Sequence, residues 1–228
     1  MKVEVKDLVN ILLKSFAVNE EELKPQDPIE LTIKVILSDQ APNQKSVESA
    51  MKNLKTQFSG WKEVFESPDW KVAMAIRDVG YSNRKTIYIK NFLKFVAKHN
   101  WDLSWIKNLS IDEAANVLSQ IQKIPSREIR YILAFGFDMP AFPTDPHIKR
   151  VVRRIGILGN NATEEQISKY FESLKDIPHK RLYLALREHA NLICMARKPK
   201  CLVCPVANYC YSVSPSVEYI QSRVNSKK

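Results

Sequence analysis

The chain has 228 residues, 45% of them hydrophobic, enough for one sizeable core or two modest ones. Lys and Arg number 35 against 25 Asp and Glu, a net charge of +10 and a pI near 9.4 that favours a polyanionic partner, although many basic proteins bind none. No apolar run reaches the roughly 18 residues of a membrane span, and the N-terminal MKVEVKDLVNILLKSF alternates charged and aliphatic residues where a signal peptide is uninterrupted; the chain is expected to be soluble and intracellular, with no membrane partner.

Helix signals recur along the chain, and with only five glycines and few alternating β-branched runs they predict an all-α fold. The first helix is expected at 5–15. Asp27-Pro28-Ile29-Glu30 reads as an N-cap, a proline at the first helical position and a capping acid, opening LTIKVILS, which is apolar nearly all round and therefore central. Further helices are predicted at 45–56, 70–77 and 84–98. Ser110 to Glu113 is a capping box opening IDEAANVLSQI, and Thr163 to Gln166 opens QISKYFESL in the same way. Helices at 127–135, 147–155 and 180–193 complete the set. Asp145 precedes Pro146 and HIKRVVRRI, which makes it the N-cap of the 147–155 helix. The tail SVEYIQSRVNSKK is short, polar and basic, and is expected to fray.

All four cysteines fall in CMARKPKCLVCPVANYC, residues 194–210, with spacing C-x6-C-x2-C-x5-C. Clustered thiols in an intracellular chain point to metal ligation rather than disulfides. A four-thiolate zinc site usually presents two C-x2-C knuckles, and only Cys201 and Cys204 are so spaced. The longer loops better suit an iron–sulfur cubane whose four irons each take one thiolate. Zinc, and four buried structural thiols, remain open on spacing alone.

Four blocks in one order then carry a resemblance: PIELTIKVILSDQA (28–41), IRDVGYSNRKTIYI (76–89), AFGF followed by TDPHIKRVVRR (134–154), and the cysteine segment. Over roughly residues 24–212 the sequence resembles the endonuclease III branch of the helix-hairpin-helix (HhH-GPD) DNA glycosylases. The resemblance implies two all-α lobes flanking a DNA-binding cleft: a six-helix barrel domain with the hairpin at 24–137, and a discontinuous iron–sulfur domain from 1–23 and 138–228. It implies a 4Fe-4S cluster on Cys194, Cys201, Cys204 and Cys210. It further implies a base-excision-repair enzyme that hydrolyses the N-glycosidic bond of a damaged or mismatched base flipped out of double-stranded DNA, acting as a monomer in the cytoplasm or nucleoid of a prokaryote.

Residue by residue, the family's essential aspartate falls on Asp145. A carboxylate at a helix N-terminus is favoured in its ionised form, and a fixed anion suits the cationic sugar left as the base departs. Gln40 and Tyr81 fall where the family inserts wedges into the hole left by an extruded base, which an aromatic ring can fill by stacking. Between the first two cysteines, Arg197, Lys198 and Lys200 lie in a loop held at both ends and stiffened by Pro199, suited to phosphate.

The hairpin departs from the family. Where strand-cutting relatives carry a pattern like L-P-G-V-G-R-K-T, residues 121–128 read IQKIPSRE; Lys123 and Pro125 replace both glycines. Phosphate binding then relies more on Lys123, the Ser126 hydroxyl and the remaining amides, or is weaker. Arg127 stands at the Schiff-base lysine's position, and a guanidinium does not readily serve as an amine nucleophile. A glycosylase without β-lyase activity is therefore expected. The alternatives are a non-catalytic iron–sulfur DNA-binding protein derived from the family, favoured by the altered hairpin, and a zinc-bearing helical interaction module. The extra C-terminal domain of relatives that excise adenine is not expected here. By analogy with short relatives lacking the lysine, the substrate base inclines to uracil or thymine opposite guanine.

Overall fold

The structure is a computed structural model describing residues 5–121, 124 and 126–213, the side chain of Ser126 excepted. Among the described residues all regular structure is helical. The order is α1 (Val5–Ser15), α2 (Glu20–Leu23), α3 (Pro28–Ser38), α4 (Gln44–Gln57), α5 (Trp61–Glu66), α6 (Asp69–Ala75), α7 (Ser82–Lys98), α8 (Ile111–Ser119), α9 (Ser126–Phe135), α10 (Pro146–Ile155), α11 (Glu164–Glu172) and α12 (His179–Leu192). Short 3-10 turns lie at Arg77–Val79, Ser104–Asn108, Cys201–Val203 and Ala207–Tyr209. None of these helices is long and apolar enough to cross a membrane.

The chain divides into two compact units, Pro25–Met139 and the pair of segments Met1–Lys24 and Pro140–Lys228. In the first, α3 is central: Leu31, Ile33, Val35, Ile36 and Leu37 are all buried, and the helix packs on α4, α7 and α9. Its entry follows from local chemistry. Asp27 accepts the Glu30 N–H at 2.7 Å, Pro28 occupies the first helical position, and the Glu30 carboxylate pairs with Lys55 at 2.5 Å. Gly136 lets this entry meet the end of α9. A Cβ there would lie 2.8 Å from the Ile132 carbonyl and 3.2 Å from Pro28 Cα, so only glycine admits the approach that lets Gln26 N–H reach the Phe135 carbonyl at 2.8 Å.

In the second unit α12 packs against α1 and α10, and α10 against α11. The stripe Ile148, Val151, Val152 and Ile155 buries one face of α10 and leaves its cations on the other. Phe142 stacks on Phe171 of α11 with ring centres 4.4 Å apart.

The boundaries show where tertiary geometry acts. Both capping boxes form in full, Ser110 with Glu113 and Thr163 with Gln166, so α11 begins at Glu164 and not at Gln166. The helix expected at 70–77 ends at Ala75, where the chain tightens into the 77–79 turn that leads to Gly80. Helices α2 and α5 were not expected; α5 has six residues and opens at Gly60, which offers no side-chain cap. The tail from 216 onward lies outside the described residues.

Candidate functional site

The four cysteines come together. All are free thiols, and all line one cavity of about 160 Å³ with Arg154, Ile155, His189, Pro199 and Val206 among its walls. That is far more room than the roughly 10–15 Å³ a single water requires. The Cys201–Val203 turn and the Ala207–Tyr209 turn set three of the sulfurs, and Cys194 lies two residues past the end of α12 with its N–H on the His189 carbonyl at 2.8 Å. Burial pushes the Cys204 and Cys210 thiols up, and charge on the neighbouring cysteines pushes the same way, against a backbone N–H from Val206 and Ser212 respectively. Ionising all four would gather like charges in partly buried surroundings, which a cationic centre among them would offset. His189 is 1% exposed, packs on Phe16, and places Nε2 3.4 Å from Cys204 Sγ; burial pulls its imidazole down to about 4.

The loop from Cys194 to Cys201 is braced from α10. Arg150 donates to the Cys194 and Ala190 carbonyls at 3.0 and 3.1 Å. Arg154 donates to the Met195 and Ala196 carbonyls at 2.7 and 3.1 Å and lies 3.6 Å from Cys194 Sγ. The Lys200 N–H closes the loop on the Ile193 carbonyl at 2.9 Å. With its backbone so occupied, the loop leaves Arg197, Lys198 and Lys200 exposed, and Lys198 sits in the left-handed region at φ 51°. The two bracing arginines have no sequence signature beyond an i, i+4 spacing on a basic helix face.

Asp145 caps α10 as expected. Oδ1 accepts the Ile148 N–H at 2.8 Å, and the carboxylate is partly buried. Its other oxygen, Oδ2, lies 3.4 Å from Arg187 Nε, whose guanidinium also faces the Tyr183 ring at 5.7 Å. Behind the cap, buried Thr144 accepts a hydrogen bond from Ser168 at 2.8 Å, and Phe142 N–H reaches Glu172 at 3.0 Å. One carboxylate oxygen is fixed by backbone and the other faces a cation. Arg187 lies on an α12 sequence whose buried face runs Leu182, Ala185, Leu186, His189, so nothing in the pattern marks it out.

In the Pro25–Met139 unit, Gln40 and Tyr81 are both exposed, and both adopt left-handed backbone at φ 52° and 50°. For residues other than glycine this costs on the order of 1 kcal/mol each. Gly80, at φ 71°, makes the turn into Tyr81 accessible; any side chain there is strained although space is open around it. The Arg84 guanidinium stacks 4.5 Å over the Tyr81 ring. Lys85, which sequence reasoning passed over, is 2% exposed and donates to the Leu37 carbonyl at 2.8 Å and the Val79 carbonyl at 3.0 Å. Its burial lowers the ammonium's proton affinity, and nearby Asp39 opposes that shift. At the hairpin, Arg127 is exposed and paired with Glu128 at 3.2 Å. Lys123, Pro125 and the Ser126 side chain lie outside the described residues.

Comparison with known proteins adds five findings. Residues 33–176 match the model of the HhH-GPD superfamily of base excision DNA repair proteins, and residues 194–210 match the iron-sulfur binding domain of endonuclease III. The chain is 34% identical to endonuclease III of Sulfolobus acidocaldarius over 141 residues, 60% of each chain. It is 27% identical to that of Rickettsia felis over 96% of this chain and 98% of the relative. Its fold superposes on that of a trapped endonuclease III–DNA covalent intermediate with a TM-score of 0.71, over 96% of each chain and at 21% identity.

Proposed function

Because this chain belongs to the HhH-GPD superfamily of base excision DNA repair proteins, we propose that it is a monofunctional DNA glycosylase, releasing a damaged or mismatched base from double-stranded DNA and leaving the strand uncut. The observation that carries the reading is Asp145, held at the start of α10 by the Ile148 N–H with a second carboxylate oxygen beyond that bond. As the base leaves C1′ with the glycosidic electrons, the sugar gains oxocarbenium character that this fixed anion stabilises. The same carboxylate orients water and takes its proton as the new C1′–O bond forms. Arg127 at the hairpin supplies no free amine, so the abasic product keeps its backbone.

The segment 194–210 is the family's iron–sulfur segment, and a 4Fe-4S cluster belongs to it. Cys194, Cys201, Cys204 and Cys210 hold it in this reading, one thiolate per iron, which accounts for every cysteine in the chain. The cluster supplies strong iron–thiolate bonds that cross-link the segment. Arg150 and Arg154 fix the loop beside it, and Arg197, Lys198 and Lys200 meet phosphates of the duplex. Gln40 and Tyr81 fill the space the base vacates, and Lys123 and Ser126 assist at the hairpin. The substrate class is uracil or thymine opposite guanine, and the protein acts as a monomer.

A second reading, a non-catalytic iron–sulfur DNA-binding protein, is favoured by the Arg187 guanidinium that already faces Asp145 Oδ2 and by the loss of both hairpin glycines. A panel of lesion-bearing duplexes, assayed separately for base release and strand cleavage, decides. Base release without cleavage is expected; binding with no release on any duplex establishes the second reading.

A further inference from the structure

We infer that Lys85 is a positioning residue that ties together the two turns presenting Gln40 and Tyr81, so that both side chains meet DNA as one preset pair. The inference rests on the base-excision reading above, in which those two residues fill the gap left by an extruded base.

The two turns are remote in sequence and alike in form. Leu37 lies in the last turn of α3, three residues before Gln40; Val79 ends the 77–79 turn, two residues before Tyr81. Carbonyls at the end of a helix have no partner within it and carry the negative pole of its dipole. A single ammonium, buried to 2% exposure, takes one such carbonyl from each turn, at 2.8 and 3.0 Å. A buried charge is unfavourable unless its donors are used, so the arrangement persists only while both turns stay in place.

What the clip holds is strained. Gln40 and Tyr81 both stand at left-handed φ, and Gly80 between Val79 and Tyr81 does as well. Left free, each turn relaxes toward extended backbone and moves its exposed side chain. Neither side chain could then enter a base stack without first being ordered, which is the loss that preorganisation avoids. A charged residue is out of place on this face: beside Lys85, α7 buries Thr86, Ile89, Phe92, Leu93 and Val96, none of them ionisable.

The test is base extrusion, read by the fluorescence of 2-aminopurine placed beside a guanine–uracil mismatch, with duplex affinity and its salt dependence measured in parallel. Four proteins are compared: wild type, Gln40→Ala with Tyr81→Ala, Lys85→Met, and all three changes together. Lys85→Met should lower the extrusion constant about tenfold or more, the effect of losing a charge-assisted hydrogen bond, with the salt slope unchanged. Added to the double variant, it should lower extrusion no further, because it acts through those two residues. If Lys85→Met does not fold, Lys85→Gln takes its place, since an amide still donates to both carbonyls and should fall between wild type and the double variant. Normal extrusion in a Lys85 variant, or a further loss in the combined one, overturns the inference while leaving the base-excision reading intact. A wild type that extrudes no base overturns both.

Discussion

Arg187 Nε stands 3.4 Å from Asp145 Oδ2 while Asp145 Oδ1 accepts the Ile148 N–H at 2.8 Å. The carboxylate therefore has one oxygen committed to the fold and one held in an ion pair that is nearly half exposed on the arginine side. Asparagine can keep the first bond but not the second charge. Asp145→Asn should fold normally, bind duplex as well as wild type or better, and release base at least a hundredfold more slowly. That rate corresponds to losing one electrostatic stabiliser of the transition state, on the order of 3 kcal/mol. Single-turnover base release beside a gel-shift titration measures both. Near-normal excision would reduce Asp145 to a helix cap.

Protein purified without oxygen should be brown, with broad absorption near ~400 nm from thiolate-to-iron charge transfer. Cys201→Ser should lose stability and DNA affinity together, since Cys201 ends the loop that carries Arg197, Lys198 and Lys200. Removing iron with a chelator should do the same to wild type. A colourless protein with one zinc per chain would show that the cavity holds a single ion.

The loop cations should position DNA without reading it. Lys198→Ala or Lys200→Ala should weaken binding to all duplexes alike and lower the slope of log affinity against log salt by about 0.9 each. An unchanged slope would mean that the loop, though exposed, points away from the duplex.

Local chemistry was readable in advance at four helix starts, though not at Asn19, whose side chain caps the short α2. Asp27, Ser110, Asp145 and Thr163 each accept the N–H three residues on, and each marks its helix start in the sequence. The cysteine segment was visible as one group, because four thiols within 17 residues need no tertiary reasoning, although spacing alone left zinc and structural thiols open. Lys85, Arg150 and Arg154 escaped for one reason: each has a backbone carbonyl 40 or more residues away among its partners, and a carbonyl has no letter in the sequence. Lys85 did leave a trace, since it opens the buried face 85, 86, 89, 92, 93, 96, on which only Thr86 is also polar. A lysine on a buried stripe asks for a partner, and periodicity alone does not say which.

In the proposed reading the strand stays uncut because Arg127 stands where a lyase needs an amine. Its guanidinium is exposed on the first turn of α9 and paired with Glu128 at 3.2 Å. A lyase needs a neutral amine at C1′ to form a Schiff base, and a protonated guanidinium does not provide one. The wild type should therefore leave intact abasic strands after excision, and borohydride should trap little covalent protein–DNA product. Arg127→Lys should yield trapped product wherever α9 brings position 127 within reach of the sugar. If that variant stays inert, the fault lies with placement, because an amine a couple of ångströms out of line loses most of the advantage of proximity. The wild-type assay, run beside an authentic lyase on the same abasic duplex, is the decisive arm. Efficient trapping there would mean that another lysine serves as the nucleophile, with Lys123 of the same hairpin the first to replace, and that the enzyme cuts DNA after all.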